Sequence, residues 1–101
     1  MKVDLWSWGG RYIGYRDGDD LWCSDGRLLG RFHGDEVYGT DGHYLGEIRD
    51  GDRLIRKTMH SHPLKGAISP RLRGAAGVRG TRGIRGTLSG YEDFPNPDNL
   101  R

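Results

Sequence analysis

Cysteine is nearly absent from this 101-residue chain, in which Cys23 stands alone. A disulfide staple is therefore excluded, and a small domain that does without one suits a reducing compartment. Apolar residues are scarce too, at 34% of the chain. No apolar run approaches the roughly 20 residues needed to cross a bilayer, or the core of a signal peptide. A membrane protein is not expected, and a cytoplasmic one is. Residues 1–58 lack the i, i+3, i+4 apolar stripe of an amphipathic helix. Acidic residues run out in the second half: positions 53–90 hold nine Lys/Arg and no Asp or Glu.

Catalytic signatures are missing as well. There is no Gly-x-Ser-x-Gly elbow, phosphate loop or dinucleotide fingerprint. Cys23 has no histidine at a diagnostic spacing, so a nucleophile is not expected there. His60-Ser61-His62 would put two imidazoles on one side of a strand, but a metal site needs three or four ligands, and His33 and His43 lie in other turns. The acidic clusters Asp17-Asp19-Asp20 and Asp50-Asp52 lack the spacing of a calcium loop, and turn chemistry accounts for them. The expectation is a chain with no catalytic residue, no cofactor and no metal.

What the sequence does have is glycine, 18 residues of it, and much of that glycine is periodic. Residues 5–19 and 21–35 align at an offset of sixteen, matching Leu5 with Leu21, Trp6 with Trp22, Gly10 with Gly26, Gly14 with Gly30 and Gly18 with Gly34. A third copy at 37–52 keeps Asp41-Gly42 and Gly46 in phase, and a degenerate fourth at 54–68 offers Leu64, Gly66 and Ile68. Each copy reads as strand, tight turn, strand. Gly9-Gly10, Asp25-Gly26 and Asp41-Gly42 suit two-residue type I′ turns, with left-handed backbone at both centres. Gly/Asp connectors at Asp17-Gly18-Asp19, His33-Gly34-Asp35 and Asp50-Gly51-Asp52 join the copies. The recurring mid-strand glycine at 14, 30, 46 and 66 signals a bulge, a bend, or two backbones in close approach. The expected fold class is all-β: four consecutive β-hairpin repeats, an eight-strand meander around a pseudo-fourfold axis. This domain covers residues 3–68, and an extended or partly ordered basic Gly/Arg tail follows over 69–101.

The stretch LWCSDGRLLGRFHGDEVYGTDGHYLGEIRDGD resembles the four-fold β-flower family, small bacterial and phage-type proteins whose hairpins form petals. Val37-Tyr38-Gly39, Asp41-Gly42-His43 and Leu45-Gly46 carry the likeness, which covers roughly residues 5–68. The chain departs from the family in its fourth petal, where Arg56-Lys57-Thr58-Met59-His60-Ser61-His62 stands in place of an Asp-Gly turn. The resemblance implies the petal fold and carries no activity to any residue.

Charge divides the chain. Residues 1–52 carry six Lys/Arg against eleven Asp/Glu, and residues 53–101 carry ten against three. In the tail, Gly74, Gly77, Gly80, Gly83 and Gly86 recur every third position. With so few triplets and no proline among them, a collagen helix is not expected, whereas an extended or disordered chain is. Arg71, Arg73, Arg79, Arg82 and Arg85 allow three readings. They neutralise the acidic petals of their own chain, they bind RNA or single-stranded DNA through phosphate contact and stacking, or they take part in recognition of a protein partner through the extended tail. Tyr91 to Pro97 reads as a frayed terminus in preference to a short aromatic-acidic linear motif. The expected function is a non-catalytic binding or structural adaptor, with a protein partner or self-association through exposed hairpin edges. The alternative is nucleic-acid binding through the five arginines.

Overall fold

A computed structural model describes residues 2–58, 62–75, 77 and 79–99. Seven strands follow one another as an antiparallel meander: β1 (Lys2–Ser7), β2 (Tyr12–Asp17), β3 (Asp20–Cys23), β4 (Leu28–His33), β5 (Glu36–Gly39), β6 (Tyr44–Arg49) and β7 (Arg53–Lys57). The first half of β7 pairs in parallel with β1, Trp6 opposite Arg53 and Ser7 opposite Leu54, and this closes the sheet into a seven-strand barrel. Its second half, Ile55 to Lys57, pairs with an eighth strand, β8 (Tyr91–Asp93). The three-residue β8 is the terminal strand at one end of the sheet, and among the described residues Lys2 to Leu5 of β1 pair with β2 alone. The described residues end in one 3-10 turn, Pro97–Asn99. Among the described residues, no helix is long and apolar enough to cross a membrane.

Three repeats form the expected hairpins, with different turn chemistry. Gly10, Gly26 and Gly42 have positive φ (95°, 95° and 88°), whereas Asp25 and Asp41 do not. Gly10 N–H donates to Ser7 O at 2.9 Å and Ser7 N–H to Arg11 O at 2.7 Å. Cys23 to Arg27 and Gly39 to His43 repeat both bonds. These are three-residue loops closed by a glycine bulge, not type I′ turns; only the last loop position needs the left-handed conformation that glycine adopts without strain. The Asp side chains serve as caps instead, with Asp25 Oδ1 accepting from Arg27 N–H and Asp41 Oδ1 from His43 N–H, each at 3.0 Å.

The mid-strand glycines are both bulge markers and points of close approach. In β2, β4 and β6 the residue before the glycine (Ile13, Leu29, Leu45) is the extra one opposite a register shift. The bulge turns all three side chains into the barrel, beside Leu5, Leu21, Val37 and Leu54. At Gly14 and Gly30 the neighbouring strand passes so close that a Cβ would collide with the carbonyl oxygens of Trp22 and Tyr38. Such bulges bend strands enough to close a narrow barrel. Each buried Leu, Ile or Val contributes roughly 1.5–3 kcal/mol.

The fourth repeat departs from expectation. Residues 62–70 form no strand, and a Cβ on Gly66 meets nothing within 4 Å among the described residues. The partner expected from residues 64–68 is supplied by β8, more than thirty residues along the chain from β7. The terminus read as frayed is thus part of the sheet, and Phe94 behind it is 5% exposed and sits in the barrel core. Met59, His60 and Ser61 lie outside the described residues.

Candidate functional site

Strand alternation sends Leu5, Leu21 and Val37 inward and the next residues, Trp6, Trp22 and Tyr38, outward. Those outer aromatics are nonetheless buried, at 6%, 2% and 2% exposure. What covers them is the basic segment 62–90, which runs as a strap around the outside of the barrel. It meets the hairpins in reverse order, third, second, then first.

On the third hairpin, Lys65 N–H donates to Gly42 O and Ile68 N–H to Thr40 O, both at 2.9 Å. The Lys65 ammonium lies 5.2 Å from the Tyr38 ring centre. On the second, Arg73 N–H donates to Gly26 O at 2.8 Å, and its guanidinium lies 3.7 Å over Trp22. On the first, Arg82 N–H donates to Gly10 O at 2.9 Å, with its guanidinium 3.9 Å over Trp6. Cation–π contacts of this kind contribute about 0.5–2 kcal/mol each.

The five candidate arginines are distributed along this path and do not converge on one patch. Arg71 pairs with Asp20 at 2.8 Å, Arg73 with Asp17 at 3.1 Å, Arg79 with Asp4 at 3.5 Å, Arg82 with Asp52 at 3.7 Å and Arg85 with Asp50 at 3.1 Å. The hydrogen bond from Arg73 holds the Asp17 carboxyl below the usual carboxylate range. Because the pairs are part-exposed, each contributes little by itself.

The three-residue glycine period has a structural use. Gly80 O accepts from the Trp6 indole, Gly83 O from Arg53 Nη1 and Gly86 O from the Trp8 indole, each at 2.7 Å. An extended chain with three residues per turn presents every third carbonyl to the same side. Arg53, 3% exposed, is the buried anchor of this stretch, and it also pairs with Asp52 at 3.6 Å. Among the tryptophans Trp22 is the exception: its buried indole N–H has no hydrogen-bond partner among the described residues, and neither has Arg53 Nε.

Between the second and third hairpins lies a cavity of about 580 Å³, lined by Leu28, Leu29, Leu45 and Arg27 of the barrel and by Pro70, Arg71 and Leu72 of the strap. Its size and apolar lining fall within the range of small-molecule pockets.

Other side chains singled out from sequence have local roles. His62 Nε2 lies 2.8 Å from Glu36, and its ring stacks on Tyr44 at 4.0 Å. His43 pairs with Asp41 in the same turn. His60 lies outside the described residues. No group of three or more metal-ligating side chains converges among the described residues. Cys23 is buried in the core, and burial pushes its thiol pKa up, away from nucleophilic character.

Lys65, Arg53 and Phe94 were not singled out from sequence. A signal for Lys65 does exist: Lys65-Gly66, Arg73-Gly74 and Arg82-Gly83 recur at spacings of eight and nine, a repeat masked by the stronger period of three. Compared with protein-family models, with curated proteins and with solved structures, the chain matches none.

Proposed function

We propose that this chain is a non-catalytic binding or structural adaptor module of the β-flower kind, with the barrel as platform and the strap laid across it. The observation that carries this reading is that all five candidate arginines already have carboxylate partners on the barrel. The β-flower assignment is supported by three hairpins of equal design and by β7 and β8, which we read as a fourth petal assembled from distant halves. Absence of catalysis is supported by the acids of the Asp-Gly loops, which cap their own turns, and by the buried thiol. A reducing, cytoplasmic setting belongs to the same reading, because the lone cysteine forms no crosslink.

The competing reading gives the arginines to nucleic acid. Fluorescence anisotropy of labelled single-stranded RNA and DNA, over a salt series, decides between them. The chain is used at full length, because truncation at residue 70 would remove Phe94 from the core. We expect no binding at low salt. Binding that weakens steeply with salt, at about −0.7 in log–log slope per phosphate contact, and is lost in an Arg79→Gln/Arg85→Gln variant, would overturn the proposal.

A further inference from the structure

The strap meets the barrel three times in one way, and that repetition defines a site. Each site has a floor, a face and a backbone acceptor. The floor is the left-handed glycine of the hairpin loop, where a Cβ on Gly10, Gly26 or Gly42 would collide with the carbonyl oxygen of Arg82, Arg73 or Lys65. The acceptor is that glycine's own carbonyl, which takes the N–H of the same basic residue. The face is the aromatic ring at one fixed repeat position, Trp6, Trp22 or Tyr38, beneath the cation. Carboxylates at Asp52 and Asp17 complete the first two sites.

The glycine after each cation is not demanded by space, since a Cβ on Gly66, Gly74 or Gly83 meets nothing within 4 Å among the described residues. What the site reads is therefore an extended backbone and a cation. The strap is held mainly by polar and cation–π contacts. Its side chains Leu64, Leu72 and Ile84 are 63%, 80% and 82% exposed, and Ile68 is the strap side chain that packs, half-buried, against the Trp22 cluster. Both of its ends are secured independently, by β7 before it and by β8 with Phe94 after it. Lifting the middle leaves the barrel core intact.

We propose that the outer faces of the three hairpins are peptide-binding sites for an extended basic segment of a partner protein, with one cation per hairpin spaced eight to nine residues apart. The strap is the ligand that fills them within the chain. A partner segment with the same spacing displaces it, and the strap, tethered at both ends, competes at the high effective concentration of an intramolecular ligand. This inference rests on the reading of the chain as a binding module and names its partner.

The probe is a fluorescein-labelled synthetic peptide with the sequence of residues 70–86, titrated into the full-length chain and into an Arg73→Ser/Arg82→Ser variant. Weakening the internal competitor should tighten peptide binding at least about tenfold over the wild-type chain. A peptide with glutamine in place of these two arginines should bind about tenfold more weakly or worse. One with alanine for the following glycines should bind equally well. Equal affinity for the glutamine peptide, or no binding by a double variant that keeps the near-ultraviolet dichroism of its tryptophans, would overturn the inference. If the double variant does not fold, Arg73→Ser alone serves, with the strap still docked at the other hairpins. Peptide must then shift the Trp22 emission, and an unchanged spectrum refutes the proposal. Failure here leaves the non-catalytic module standing, whereas salt-dependent RNA binding in the earlier experiment removes that reading itself.

Discussion

Replacing Gly26 by alanine, with Gly34→Ala as its control, isolates the strap's contribution to stability. Both glycines have positive φ, 95° at Gly26 and 66° at Gly34, so both substitutions carry the backbone strain of a left-handed L-residue, roughly 1–2 kcal/mol. Around Gly34 a Cβ meets nothing within 4 Å among the described residues, and strain is the whole cost. At Gly26 the new methyl collides with the Arg73 carbonyl, and the strap must lift. Lifting breaks the 2.8 Å bond from Arg73 N–H to Gly26 O, worth about 0.5–1.5 kcal/mol net. It also removes the guanidinium from Trp22, about 0.5–2 kcal/mol, and uncovers a ring that is 2% exposed. Gly26→Ala should therefore cost about 2–3 kcal/mol more than Gly34→Ala. At roughly 4–8 °C per kcal/mol for a domain near this size, the two melting temperatures should differ by more than about 8 °C. Urea and thermal denaturation followed by tryptophan emission measures both, and the Trp22 signal of folded Gly26→Ala should shift to the red. Equal losses from the two variants, with unchanged emission, would refute the claim that the strap sits on this loop.

Three further outcomes follow from the same geometry. Gly14→Ala pushes a methyl into the backbone of β3 and should cost about 3 kcal/mol or more, whereas Gly66→Ala, its counterpart in the sequence repeat, should stay within about 0.5 kcal/mol; paired urea melts separate them. Phe94→Ala should destabilise by about 3–5 kcal/mol, because the ring lies within the barrel core, and a near-neutral result would return the terminus to its frayed reading. Acid should loosen the chain: hydrogen bonding holds Asp17 (from Arg73) and Asp41 (from His43 N–H) below their ordinary 3.8, and Arg27 does the same for Asp25 against the opposing effect of burial. Their stabilisation is complete above about pH 5 and is lost as pH falls through 3.8 and below. At the alkaline end, burial and a hydrogen bond to Asp4 push Tyr12 up to about 12 from 10.0. Stability should accordingly decline between pH 10 and 12, where only the unfolded chain ionises this tyrosine. A pH series of melts reads both limbs, and a flat profile across either window contradicts the corresponding contacts.

Short-range chemistry made the first three hairpins legible in the sequence. Loop glycines, Asp caps and alternating apolar residues each act within a few positions of the chain, so a period of sixteen was enough to place six strands. The mid-strand glycine pointed correctly to bulges and close backbone approach at 14, 30 and 46, and wrongly at 66, which lies in no strand. Where only one loop position needs left-handed backbone, Asp-Gly reads the same as a type I′ turn, and composition does not separate the two. Closure of the barrel, the pairing of β7 with β8 and the burial of Phe94 depended on contacts tens of residues apart, for which the local pattern holds no marker. The arginines show the division most clearly. Their charge against the acidic first half was plain from the sequence and favoured neutralisation of the chain's own acidic petals over a nucleic-acid ligand, without deciding between them. Only the tertiary structure laid that segment across the three outer aromatics, because rings facing away from the barrel core stay buried only if some other part of the chain covers them.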